Sequence, residues 1–295
     1  MKRFFRNFYD FTHRIPFWIF IIPIFLMILF PYITDITPEK ITENTEFNII
    51  STENELKVLK IIDELQKNSK VLILVNFGPE SKYELETALS SLIAVLAEKE
   101  IKIAFATMLP NGIESAFYAA EKSIDNGKLG MDRFVYGHEY THLGYIAGGT
   151  IASYLAANNF DKIKERDIVN NNIDIRQPIM NEIADISDFS AVFEFSSQTF
   201  DGIPAIISFS VLLKNKEIKR IAFCTSDILS AYIPFSNSLY LDGLVGGFKS
   251  IAAFIHEIRP SAQIEQQYDS LSIILFYIVG IVFFANLIRV VRKDK

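Results

Sequence analysis

The chain has 295 residues, half of them hydrophobic, and 29 Lys and Arg against 35 Asp and Glu leave a net charge of -6. That balance offers no basic face for nucleic acid, and the single cysteine, Cys224, excludes an internal disulfide framework. The length suffices for one sizeable core with further apolar segments beside it.

In chain order, residues 1–14 form a basic tail carrying Lys2, Arg3, Arg6 and Arg14. Residues 15–33 contain no charge, and their length matches the ~20 residues a bilayer core requires. Pro23 in a bilayer costs only a local kink, and Trp18 and Tyr32 stand near the ends, where amphipathic rings prefer the headgroup level. The sequence after the run, Tyr32-Ile33-Thr34-Asp35, lacks the small residues of a processing site, so the segment reads as an uncleaved signal anchor. Residues 34–50 read as a polar linker, 51–268 as an α/β domain, 269–289 as a second transmembrane helix, and 290–295 as a second basic tail. The second charge-free run is Leu271 to Ile288, followed by Arg289, Arg292, Lys293 and Lys295. Positive charge beside a span stays cytoplasmic. Both termini are therefore expected on the cytoplasmic side of the cytoplasmic membrane and the domain on its outer side.

Within the domain, Ser51 to Asn68 predicts a helix, with Leu56, Leu59, Ile62 and Leu65 at helical spacing. Val71 to Val75 is a wholly apolar run, as in a strand buried on both faces. Further strands are expected near 101–107, 141–145, 191–195 and 218–225. Helices are expected near 81–99, 112–125, 150–164, 203–213 and 244–258. Alternation of this kind predicts an open, mainly parallel, Rossmann-like sheet with helices on both faces. Ligands of such sheets lie at the carboxyl ends of the strands. The residues expected there include Asn76 after the first strand, Gly148, Gly149 and Thr150 after the third, and Ser226 and Asp227 after the fifth. Gly246, Gly247 and Lys249 belong to a second glycine-rich turn. Backbone N–H groups at such helix starts can cradle an anion, whereas glycines used only for close packing are the plainer reading. Neither turn has the spacing of a nucleotide-binding loop. Cys224, within Ile221-Ala222-Phe223-Cys224, reads as a buried small hydrophobe.

His138-Glu139-Tyr140-Thr141-His142 fits H-E-x-x-H, which places two zinc ligands on one face of a helix with a glutamate beside the metal-bound water. The flanking β-formers and glycines argue for a strand or loop instead, and the longer three-histidine pattern fails at Gly144. His256 is the one distant histidine that could complete a set.

Gly-Tyr-x-x-Gly-Gly at 144–149 and Gly-Leu-x-Gly-Gly-x-Lys at 243–249, set between two terminal spans, resemble an uncharacterised family of prokaryotic two-transmembrane-helix proteins. The resemblance implies the two-span layout and a domain without a histidine pair before Gly144, and it implies no activity. The resulting expectation is a tethered, non-enzymatic α/β domain. It would bind a small ligand or take part in a membrane assembly, with no cofactor, and its partners would be the lipid bilayer and other membrane proteins. A membrane-bound zinc hydrolase using His138, His142 and Glu139 is the alternative.

Overall fold

In a computed structural model of the chain, the described residues are 53–125, 134–149, 151, 179, 182–183, 186–208, 218–238 and 240–259, with 277, 278 and 281. The expected span 15–33, the linker 34–50 and all but three residues of 269–289 lie outside them, as does the helix expected at 150–164 except for Ile151. No helix among the described residues is long and apolar enough to cross a membrane. The chain divides into the unit Ile49–Pro260, which holds every element named below, and a second made of Met1–Asn48 with Ser261–Lys295.

The elements run α1 (Glu53–Glu64), β1 (Lys70–Asn76), a 3-10 turn (Pro79–Ser81), α2 (Lys82–Glu98), β2 (Lys102–Thr107), α3 (Gly112–Asp125) and β3 (Tyr140–Tyr145). They continue with β4 (Ala191–Ser196), β5 (Lys219–Cys224), α4 (Leu229–Asn237), β6 (Gly243–Gly246) and α5 (Gly247–Ile258). The six strands form one sheet in the order β3-β2-β1-β4-β5-β6, and every pairing is parallel. β1 starts the winding, which proceeds outward through β2 and β3, then returns to the other side of β1 as β4. The boundary between β1 and β4 is thus where the strand order reverses.

The apolar run in β1 does what its composition implies, since Val71 through Val75 are all buried. On one face of the sheet Leu72, Leu74, Val192 and Ala222 join a core cluster with Ile206, Phe189 and Tyr232 of α4. Elsewhere in the core, the Phe195 and Phe223 rings stack at 4.4 Å and Phe254 of α5 meets Phe223 edge-on at 4.8 Å. Helix α2 packs on both α3 and α5. Glu86 of α2, buried, is paired with Lys82 at 3.5 Å and with Lys122 of α3 at 3.4 Å. That pairing satisfies a charge which would otherwise be costly to bury.

The structure corrects the sequence in two places. The helix expected at 244–258 begins only at Gly247, because 243–246 is a sixth strand. Two of its four residues are glycine, which hides the β signal. At Gly246 a Cβ would stand 2.2 Å from Leu229 Cδ1, so glycine there admits α4 against the sheet. The second correction is α4 itself, which the pattern did not indicate because Pro234 sits inside its nine residues.

The start of α3 is equally tight. A Cβ at Gly112 would lie 2.1 Å from the Val75 carbonyl oxygen and 2.3 Å from Thr107 Oγ1. Gly112→Ala gains helix propensity of at most ~1 kcal/mol, whereas overpacking against backbone costs ~1–3 kcal/mol. The clash should win. Denaturant unfolding is expected to show a lower midpoint for Gly112→Ala, and an unchanged or higher midpoint would contradict this packing.

Candidate ligand crevice at the carboxyl edge

Asn76, the last residue of β1, is fully buried. Its Nδ2 donates to Glu194 Oε1 at 3.1 Å, and its Oδ1 accepts from the Met108 N–H at 2.9 Å. Its backbone oxygen accepts from Ser197 N–H at 3.2 Å. One side chain thereby joins the ends of three strands across the point where the winding reverses.

Glu194 sits in β4 between Phe193 and Phe195 and is 0 % exposed. Its Oε1 accepts from Ala205 N–H at 3.2 Å and its Oε2 from Ile206 N–H at 3.1 Å. The carboxylate therefore caps the start of the helical segment 205–208, where an anion is favoured by the orphan N–H groups. Burial pushes its pKa up to about 7 against the pull of these hydrogen bonds. Tyr232 is also fully buried, and its hydroxyl faces Glu194 and Ser196 but closes no hydrogen bond of good geometry with either. Burial drives the Tyr232 pKa well above the ordinary phenol range.

Above this floor the rim is acidic. Glu80 Oε1 accepts from Gly78 N–H at 3.1 Å and Ser197 Oγ at 3.3 Å, which links the loop after β1 to the loop after β4. Glu84, in the first turn of α2, is hydrogen-bonded by Ser226, and one of its oxygens is buried without a partner. Burial raises its pKa, and the nearby charge of Asp227 raises it further, against the Ser226 bonds. Thr225 Oγ1 donates to Asp227 Oδ1, and Ser226 Oγ accepts from Phe248 N–H at 3.4 Å. Glu84 already occupies the first turn of α2 that a phosphate would need.

The two glycine turns share the carboxyl edge and follow the outermost strands of the sheet. Gly148 and Gly149 follow β3, Gly246 and Gly247 close β6, and four strands intervene. Gly149, with φ +58°, lies against the turn after β4, where its Cβ would stand 3.5 Å from Asp201 Oδ2. Gly247, with φ +79°, packs on Ser226, whose Oγ would be 2.9 Å from a Cβ. The turns thus reach in from the outer strands β3 and β6 toward the loops after β4 and β5. Lys249 is exposed in the first turn of α5, and Thr150 lies outside the described residues.

The histidine pair divides between two kinds of structure. His138 is in a turn, its N–H donating to Val135 O at 3.1 Å, while Glu139 accepts from Val135 N–H at 2.9 Å. His142 is inside β3, buried, and stacked on Phe117 at 5.1 Å. Its Nδ1 accepts from Gly144 N–H at 2.9 Å, so the proton of the neutral ring is on Nε2, which is buried without a partner. The strand reading of this segment holds, and the two rings do not share a helical face. Among the described residues no group of three or more His, Cys, Asp or Glu is arranged to hold a metal ion. Cys224 is buried and its thiol pKa is raised, chiefly by burial, as for a small hydrophobe.

No family model matches the chain, and neither a curated protein nor a solved structure shows significant similarity to it. Glu194 and Tyr232 are the residues that sequence reasoning passed over. The signal for Glu194 was present, a lone carboxylate inside the apolar strand Ala-Val-Phe-Glu-Phe-Ser. Nothing in the sequence marked Tyr232.

His142 and Glu194 make opposite demands of pH. Burial lowers the His142 pKa from 6.5 to about 4, so the unfolded chain binds that proton more strongly and stability falls as pH drops through this window. The Glu194 pKa is raised, so the folded chain binds its proton more strongly and stability rises as pH drops from about 7 to 4.5. The two slopes offset each other in the parent. In His142→Phe only the second remains, and its unfolding midpoint should increase between pH 7 and pH 5 relative to the parent. Parallel pH profiles for the two proteins would contradict the buried neutral histidine.

Proposed function

We propose that the chain is a non-enzymatic, membrane-tethered domain. It binds a small ligand in the crevice between the ends of β1 and β4, with the bilayer as partner at both termini. The observation that carries this reading is the strand order β3-β2-β1-β4-β5-β6, whose reversal falls between β1 and β4, above Asn76 and Ser196, the place where sheets of this winding bind ligands. Glu80, Glu84 and Asp227 border that opening, so a ligand offering hydrogen-bond donors suits it and a phosphate does not. Catalysis finds little support among the described residues. Cys224 is buried and held as the thiol, His142 is enclosed by aromatic rings, and Asp227 is engaged by Thr225. Anchoring at both ends would keep the domain beside the bilayer, as a component of a membrane assembly requires, with both termini cytoplasmic and the domain outside.

Two measurements test the two halves of this reading. Cys224 is buried and should be silent to an impermeant thiol reagent, so a cysteine placed at Asn171 should label in intact cells and one at Lys293 should not. The reverse pattern would invert the topology. For the crevice, native mass spectrometry of the full chain purified from its membranes should detect a bound small molecule that is absent from Ser197→Arg. A ligand retained equally by Ser197→Arg, or none retained by the parent, would contradict the assignment.

A further inference from the structure

The crevice holds two polar atoms that the fold itself does not satisfy. One is the Oε1 of Glu84, buried and without a hydrogen-bond partner although Ser226 bonds to the same carboxyl group. The other is the Tyr232 hydroxyl, which is fully buried, has no partner, and faces Glu194 and Ser196 in the floor. Cys224, the last residue of β5, links the floor to the rim, because Glu194, Glu84 and Asp227 all act electrostatically on its thiol. Three carboxyl groups and one spare hydroxyl thus lie around the ends of β4 and β5.

Among the described residues no cation answers them. Lys82, in the same first turn of α2 as Glu84, is drawn to Glu86 at 3.5 Å and lies over the Tyr118 ring at 3.8 Å, and Lys122 is taken by Glu86 at 3.4 Å. Glu80, Glu84 and Asp227 form no ion pair among the described residues. One helix therefore neutralises its buried Glu86 and leaves Glu84 open, with Glu80 four residues before it adding a like charge. A metal ion does not suit the place, since no three described His, Cys, Asp or Glu residues are arranged to hold one. An ammonium group does, because it offers three donors, accepts nothing, and takes its acceptors one at a time. In a phospholipid headgroup the adjoining phosphate would meet Glu80 and Asp227, so a free amine is the better match.

We propose, resting on the crevice reading above, that the ligand is a small free organic amine whose ammonium group sits between Glu84 and Asp227. The buried Glu84 oxygen is its first acceptor, and the Tyr232 hydroxyl receives the inner end of the molecule.

Calorimetric titration of the full chain in detergent at low salt tests this, with ethanolamine as the probe and ethylene glycol and phosphoethanolamine as comparisons. Ethanolamine should bind, ethylene glycol should not, and phosphoethanolamine should bind more weakly by on the order of tenfold or more. Glu84→Gln keeps the size of the side chain and should weaken ethanolamine on the order of ten- to a hundredfold, as the loss of a charge-assisted hydrogen bond does. If Glu84→Gln fails to fold, Asp227→Asn takes its place with the same expectation. A folded variant that binds as the parent does, or phosphoethanolamine bound as tightly as ethanolamine, would overturn the proposal. A parent that ignores ethanolamine, while native mass spectrometry finds a ligand lost from Ser197→Arg, would overturn the amine and leave the crevice standing. A parent with neither would overturn both.

Discussion

The hydrogen bond from Asn76 to Glu194 is the contact on which the carboxyl edge depends. It spans the boundary at which the winding of the sheet reverses, and both residues are fully buried there. Through Asn76 the end of β1 is tied to the loop after β2, and through Glu194 the end of β4 is tied to the helical start at 205–208. Removing either partner would leave buried polar groups unsatisfied, at a cost of ~1–3 kcal/mol for a neutral group and more for a charged one. The arrangement also fills two helix starts at this edge. In many sheets of this winding a helix N-terminus is left open to bind phosphate, whereas here the carboxyl group of Glu194 occupies the one after β4, and Glu84 sits in the first turn of the one after β1.

Much of the fold was legible in the sequence because burial on both faces leaves a plain mark. The run Val71–Val75 is apolar without alternation, and the strands at Lys102–Thr107, Ala191–Ser196 and Lys219–Cys224 lie where the expected ones do, within a residue or two. β6 escaped notice because glycine at two of its four positions serves the approach of neighbouring side chains, a demand of tertiary packing that no local pattern carries. α4 escaped for the same kind of reason, since its Pro234 is a breaker by local rules and only the packing of Tyr232 against the sheet shows the helix is used.

The candidate site was legible only in part. Asn76, Ser226 and Asp227 could be placed at the carboxyl edge from the β-α alternation alone, and the structure puts them there. What the sequence could not supply is which of these residues are neighbours, because that depends on strand order, and two glycine turns that look equivalent in sequence follow strands at opposite edges of the sheet. Strand order also explains why Glu194 matters. A carboxylate in an edge strand could turn to water, but β4 lies between β1 and β5, and its side chain must find partners inside the protein.

That a carboxyl at the centre of this sheet holds a proton near neutrality is the claim from which the other physical arguments about the edge descend. Infrared difference spectroscopy between the parent and Glu194→Gln addresses it directly, because a protonated carboxyl has a carbonyl stretch distinct from that of a carboxylate. The account predicts a protonated-carboxyl band at pH 5 that is missing in Glu194→Gln and that titrates away with a midpoint close to 7. A band that disappears near the ordinary carboxyl value of 4.5, or no band at all, would contradict it.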